Sequence, residues 1–336
     1  MTTYKYKKQL IFIRKSYNKS SFKFFMKVLK YLYLVFILII FVLAFIFIKN
    51  NFSEFDEVID SVSLFDFVVL SILTLITTLL NGNKIEILTK YYGLRLKFKE
   101  WFGLSVITTM SNYLAPFGLG MSLRGLYLKR KHKFPYGTFI TTLATSYLTS
   151  FLIYSFLGLL IMVLAYFKYD FFSIILFLLF LITFLVCISI ILFLPKIKYK
   201  KKNFLSKVLG VINNWNKIKK NYKLLIKLTF NDLLSLLNYS FRIFFIFYIL
   251  SNKIPFISSV LISVLTLFSS IIGLTPASIG VKEALIIYST IAIGKSLNLG
   301  IAVAAIDRII AAIYVFSLGG IFSYILLRNL KNRNNL

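Results

Sequence analysis

One cysteine, one histidine, five prolines and 11 acidic residues stand among 336. Each scarcity removes a class of chemistry. Cys187 has no partner for an intrachain disulfide, and with His132 it is too little for a zinc site or for a Ser/His or Cys/His triad. No nucleotide-binding glycine loop is present, and no cleavable leader is evident. The first apolar run starts at residue 31 and is long enough to stay as an anchor. No metal, cofactor or catalytic residue is expected.

What is abundant is apolar. The chain is 59% hydrophobic and 18% aromatic, with 36 Phe and 21 Tyr. Soluble domains average about 45–50% apolar. Such a chain in water would expose far too much apolar surface, so lipid must solvate much of it. A genome rich in A and T accounts for Ile, Phe and Lys as choices, but not for their arrangement in blocks. The 40 Lys and Arg give a formal net charge of +29. In this setting the excess is a topology signal rather than the footprint of a nucleic acid. Dense basic patches also hold anionic lipid headgroups.

Residues 1–30 carry nine Lys/Arg and no acid and read as a cytoplasmic tail. Six runs are expected to span the membrane: 31–48, 62–82, 136–167, 171–194, 224–250 and 300–327. Residues 84–99 and 195–223 are basic, and the latter segment is the linker in the middle of the chain. The tail 328–336 is basic again. Lys and Arg concentrate in the segments assigned inside, which places both termini in the cytoplasm.

Two further apolar runs are interrupted. The run 101–121 holds Pro116, Gly118 and Gly120, and both its flanks are basic. A re-entrant hairpin entering and leaving on the cytoplasmic side avoids putting a basic cluster outside. The run 256–294 breaks at Thr275-Pro276-Ala277-Ser278-Ile279-Gly280, followed by Lys282 and Glu283. The expected fold is an all-α bundle of about six spanning helices and two re-entrant hairpins. The repeats 31–194 and 224–327 then have opposite orientation, a recurring design of secondary transporters. In the rival topology, 256–278 and 284–306 each span and the chain turns tightly at Asp307-Arg308.

A charge at the bilayer centre costs about 2.5–3.5 kcal/mol on insertion scales, so it needs a partner or a task. The candidates are Asp232, Arg242, Lys282, Glu283, Asp307 and Arg308, joined by Arg124 after the first break. Glu283 is expected to cap its helix, pair with Arg308, or serve an anion site at the helix start. Asp307-Arg308 reads as an interhelical pair or part of a pathway. Asp232 and Arg242 read as snorkelling groups near helix ends, and His132 as a solvated residue of a basic run. Arg124 is a cytoplasmic anchor or a ligand for a headgroup. The Thr/Ser face at 138–150 serves helix packing or a polar path.

The stretch Asn112-Tyr-Leu-Ala-Pro116-Phe-Gly-Leu-Gly120-Met-Ser-Leu-Arg124 resembles a signature of the lysylphosphatidylglycerol synthase/flippase transmembrane family. Pro276-Ala-Ser-Ile-Gly280-Val-Lys-Glu283 resembles its second signature, and Asp307-Arg308 with Leu318-Gly319-Gly320 its final helix. The likeness covers about 31–327. Met121 stands where that family usually has Glu, and the soluble aminoacyltransferase domain of the full synthases is expected to be absent. The resemblance implies a flippase-like module in the plasma membrane of a prokaryote, moving an anionic phospholipid or a polyprenyl-phosphate-linked lipid. The implied translocation residues are Asn112, Pro116, Gly120, Arg124, Pro276, Gly280, Lys282, Glu283, Asp307 and Arg308. The alternatives are a membrane-embedded headgroup or glycosyl transferase using Glu283 and Asp307 as acid or base, and an accessory subunit of an envelope synthase. A homo-oligomer is compatible with all three.

Overall fold

The computed structural model describes residues 62–114, 118–193, 213–272 and 276–331, and they are helical nearly throughout. The basic tail, the expected span 31–48, Pro116 and most of the basic linker lie outside the described residues. Five helices are long and apolar enough to cross a membrane. They are α1 (Leu64–Tyr91), α4 (Tyr136–Tyr169), α5 (Ile174–Phe193), α6 (Tyr222–Ile249) and α9 (Leu297–Lys331). They answer to five of the six expected spans.

The interrupted runs form pairs of shorter helices. The first run gives α2 (Phe98–Leu114) and α3 (Leu119–His132). The second gives α7 (Phe256–Ile272), a 3-10 turn at Pro276–Ser278, and α8 (Val281–Ala292). At about 1.5 Å per residue, α8 is about 18 Å long and cannot cross a hydrocarbon core of about 30 Å. Helix α9 runs unbroken through Asp307 and Arg308. The tight turn required by the rival topology is therefore absent.

Lipid-facing and interior surfaces differ as a membrane solvent demands. Ile175, Leu178, Leu179, Ile182, Leu185 and Val186 of α5 are exposed. By contrast, Ser258, Ser259, Ser263, Thr266 and Ser269 of α7 are buried. Small polar residues let helices approach closely and hydrogen-bond across the contact. Each long helix also reaches into the other half of the chain. Helix α4 packs on α7, and α9 packs on α2. Helices α1 and α6 run antiparallel. The side-chain amide of Asn238 donates to the Leu73 carbonyl at 2.9 Å, and that of Asn231 to the Leu80 carbonyl at 3.2 Å.

The ends of the first helix pair are tied together at the basic end of the bundle. Glu100 of α2 is 6% exposed. Its Oε1 accepts the Tyr127 hydroxyl at 3.0 Å and lies 2.9 Å from both Lys131 Nζ and His132 Nε2. Its Oε2 accepts the Lys97 backbone N–H at 3.0 Å. His132 is thus half-buried against a carboxylate, which corrects the expectation from its basic neighbours that it is solvated. Burial alone would raise the Glu100 carboxyl, but the hydrogen bonds from Lys131, Lys97 and His132 and the Lys131 charge outweigh it and hold it down at about 2. A depressed carboxylate contributes stability that is complete above its unfolded value and is lost as pH falls through its folded one. Glu100→Gln is therefore expected to flatten the dependence of melting temperature on pH between about 4.5 and 2. A wild-type slope surviving in the variant contradicts this assignment.

Candidate functional site

The two helix breaks meet in space. At the first, α3 starts at Gly118, whose φ of 70° lies in the left-handed region. Asn112 of α2 accepts the Gly120 backbone N–H on Oδ1 at 3.2 Å and so caps the new helix. Gly120 lies against α2 so closely that a Cβ there would sit 2.1 Å from the Thr108 carbonyl oxygen. At the second break α8 starts at Gly280 with a φ of 84°. Glu283 accepts the Gly280 N–H on Oε2 at 2.8 Å, a carboxylate cap. It also pairs with Arg308. Both structural roles expected for Glu283 are realised at once.

Arg308 joins the breaks. Its guanidinium donates to the Tyr113 hydroxyl of α2 at 3.1 Å and to the Ala277 carbonyl at 3.2 Å. Ala277 and Ser278 have φ of 48° and 57°, a conformation that disfavours side chains. Arg308 holds that strained turn from the carbonyl side.

Behind Arg308 lies a second ion cluster. Asp307 is 1% exposed and has Arg242 at 2.7 Å, Lys282 at 2.7 Å and the Tyr239 hydroxyl at 3.2 Å. Arg242 also donates to the Asp307 backbone carbonyl at 2.5 Å. Lys282 Nζ stands 4.8 Å from the centroid of the Tyr239 ring. Arg242 therefore does not snorkel; it is the buried partner of Asp307. Asp232 is likewise interior, with Lys84 at 2.7 Å and the Ser150 hydroxyl at 3.0 Å. Lys84, expected in a basic loop, lies inside α1 and also donates to the Ser146 carbonyl at 3.1 Å. Neither acid nor base snorkels because each finds an opposite charge on a neighbouring helix.

Around the first break is a cavity of about 200 Å³ between α1, α2, α3 and α4. Its polar lining includes Lys84, Asn112, Arg124, Thr142, Ser146 and Tyr147, and among the described residues no carboxylate lines it. The Arg124 guanidinium lies over the Phe139 ring at 5.7 Å. Among the described residues no acid forms an ion pair with it. The Thr/Ser face of α4 thus serves packing at Thr145 and Thr149, and lines the cavity at Thr142 and Ser146.

The second break is longer and holds the 3-10 turn, but positions counted from the helix starts correspond between the two halves. Met121 is the third residue of α3, as Glu283 is of α8. Ser146 and Tyr147 stand as far from the start of α4 as Asp307 and Arg308 do from the start of α9. Lys84 and Arg242 hold equal places in α1 and α6. Contacts repeat accordingly. Lys84 donates to the Ser146 carbonyl as Arg242 does to that of Asp307. The Tyr147 hydroxyl donates to Met121 Sδ, where Arg308 pairs with Glu283.

Of the expected site residues, Asn112, Gly120 and Arg124 gather at the cavity, and Lys282, Glu283, Asp307 and Arg308 at the ion clusters. Gly280 starts α8 and Pro276 opens the 3-10 turn. Sequence reasoning missed Lys84, Tyr113 and Tyr239. A signal existed for Lys84: Ile85 and Leu88 continue the apolar stripe, and no helix breaker follows until Gly93.

Spanning helices, an interior of paired charges and two broken helices define a polytopic integral membrane protein of all-α fold. The chain belongs to the family described as the lysylphosphatidylglycerol synthase TM region, whose model matches residues 32–319. No curated protein and no solved structure matches it.

Proposed function

We propose that this chain moves an anionic lipid, either a phospholipid or a polyprenyl-phosphate-linked lipid, between the leaflets of a prokaryotic plasma membrane. The basic end and both termini then face the cytoplasm, and the two broken helix pairs are re-entrant hairpins. The observation that carries the reading is Arg124, a guanidinium in a polar cavity with no acid among the described residues to neutralise it. An arginine so placed binds phosphate oxygens through charge-assisted hydrogen bonds.

An inverted repeat gives such a site a means of alternating access. Support comes from the packing. Exchanging α1 with α6, α2 with α7, α3 with α8 and α4 with α9 preserves the helix neighbours of α1 and α6 and of α2 and α7. The shortness of α8 supports a hairpin over two spans. A transferase finds less support, because Glu283 and Asp307 are both held by cations and neither offers a free carboxylate as a base.

The test is reconstitution into liposomes with fluorescent anionic phospholipid and polyprenyl phosphate. Wild-type protein is expected to scramble at least one of them. Arg124→Gln is expected to slow it about tenfold, the equivalent of one charge-assisted hydrogen bond. Scrambling by the wild type no faster than in protein-free vesicles, for every lipid tried, overturns the reading.

A further inference from the structure

We propose that Met121 sets the charge of the headgroup that the cavity accepts, restricting it to a phosphate-bearing headgroup without an ammonium substituent. The inference rests on the lipid-binding reading above but concerns only which headgroup enters.

In α8 the third residue is Glu283, and its carboxylate neutralises Arg308. In α3 the third residue is Met121, and the residue facing it is Tyr147. An ion pair in one half is thus a neutral pair in the other. The neighbour one turn further on differs as well. In α8 it is Ile286, which is 1% exposed. In α3 it is Arg124, which lines the cavity together with Met121 and Tyr147. Residues three apart on a helix share a face. A carboxylate at position 121 would therefore lie beside the Arg124 guanidinium and cancel it, whereas methionine leaves it free.

The rest of the lining agrees. Asn112, Thr108, Thr142, Ser146 and Tyr147 are neutral, and the Asn112 amide and the Ser146 hydroxyl carry donors suited to phosphate oxygens. The hydroxyls of Thr108, Thr142 and Tyr147 already donate to the Leu104 and Phe139 carbonyls and to Met121. Asp232, which touches the lining at Lys84, is already engaged by Lys84 and Ser150. An ammonium group brought into this cavity would meet Arg124 and Lys84 and, among the described residues, no acceptor carboxylate. It would lose its hydration with nothing in exchange. Discrimination thus arises from an unfavourable contact as much as from a favourable one.

The experiment uses the full chain purified in detergent and two short-chain probes, dihexanoyl phosphatidylglycerol and dihexanoyl phosphatidylcholine. Both carry the phosphate, and only the second carries an ammonium. The wild type is expected to bind the glycerol lipid about tenfold more tightly than the choline lipid. Met121→Glu is expected to erase that preference, and Met121→Gln, of the same length without the charge, to keep it. The double variant Met121→Glu/Tyr147→Arg copies the pair of the second half. It should occupy the new carboxylate, free Arg124 and restore the preference. This rescue separates headgroup selection from misfolding. Equal binding of the two probes by the wild type, or an unchanged preference in Met121→Glu, overturns the proposal. Scrambling in vesicles is scored separately. A binding preference without scrambling removes the transport reading and leaves the role of Met121 standing.

Discussion

Replacing Asp307 by alanine is expected to leave a protein that barely survives extraction from the membrane. Asp307 is in contact with both Arg242 and Lys282, the only carboxylate among the described residues that is, and it is 1% exposed. Removing it strands two cations in the bundle interior. The attraction that offset their dehydration disappears while the dehydration remains. Breaking a buried pair in this way costs about 3–5 kcal/mol. The expected readout is a large fall in melting temperature in detergent and loss of the monodisperse fraction. The triple variant Asp307→Ala/Arg242→Met/Lys282→Met removes the stranded charges as well, and should recover much of the loss. A single variant as stable as the wild type would show that the cluster contributes nothing to the fold.

Lys84→Met is the second large effect. The variant leaves Asp232 buried with the Ser150 hydroxyl as its remaining side-chain donor. The expected cost is again about 3 kcal/mol or more. Lys84→Met/Asp232→Asn should be clearly more stable than Lys84→Met, because an amide is far less costly to bury than a carboxylate. If the double variant is no better, the damage lies in lost packing of the lysine stem and not in the stranded charge. Headgroup binding gives an independent reading of the same variants. Lys84 lines the cavity, so anionic lipid should bind more weakly to Lys84→Met even after stability is corrected by the second substitution.

Helix positions were legible because lipid makes long apolar runs obligatory. The runs at 62–82, 136–167, 171–194, 224–250 and 300–327 each contain most of a helix, and both breaks fall where Pro and Gly stand together. Helix ends were less legible. Helix α1 extends to Tyr91 because Lys84, which looks like a loop residue, is neutralised by Asp232 from a helix 148 residues away in sequence. The same long-range pairing hid the roles of Asp232 and Arg242. A single charge in an apolar run gives no sign of its partner's position. His132 was misjudged for a related reason: its basic neighbours point to water, but Glu100 lies across the hairpin from it. The cap and the Arg308 pair of Glu283, two of the roles open to it, were legible because both partners stand nearby, one in its own helix start and one in the next helix.

The contacts of α9 with α2 bear on how the chain is made. Gly103 of α2 lies directly against Phe322 and Leu326 of α9, closely enough that a Cβ would meet Phe322 at 2.6 Å. Gly319 of α9 meets Met110 of α2 in the same way. Helix α2 emerges from the ribosome long before α9, so its partner face stays bare while the intervening helices are inserted. The first helix pair reaches its final surroundings only after the last helix is synthesised. Ribosome-bound intermediates ending before residue 297 should therefore hold α2 in a loosely packed state, open to capture by insertion chaperones.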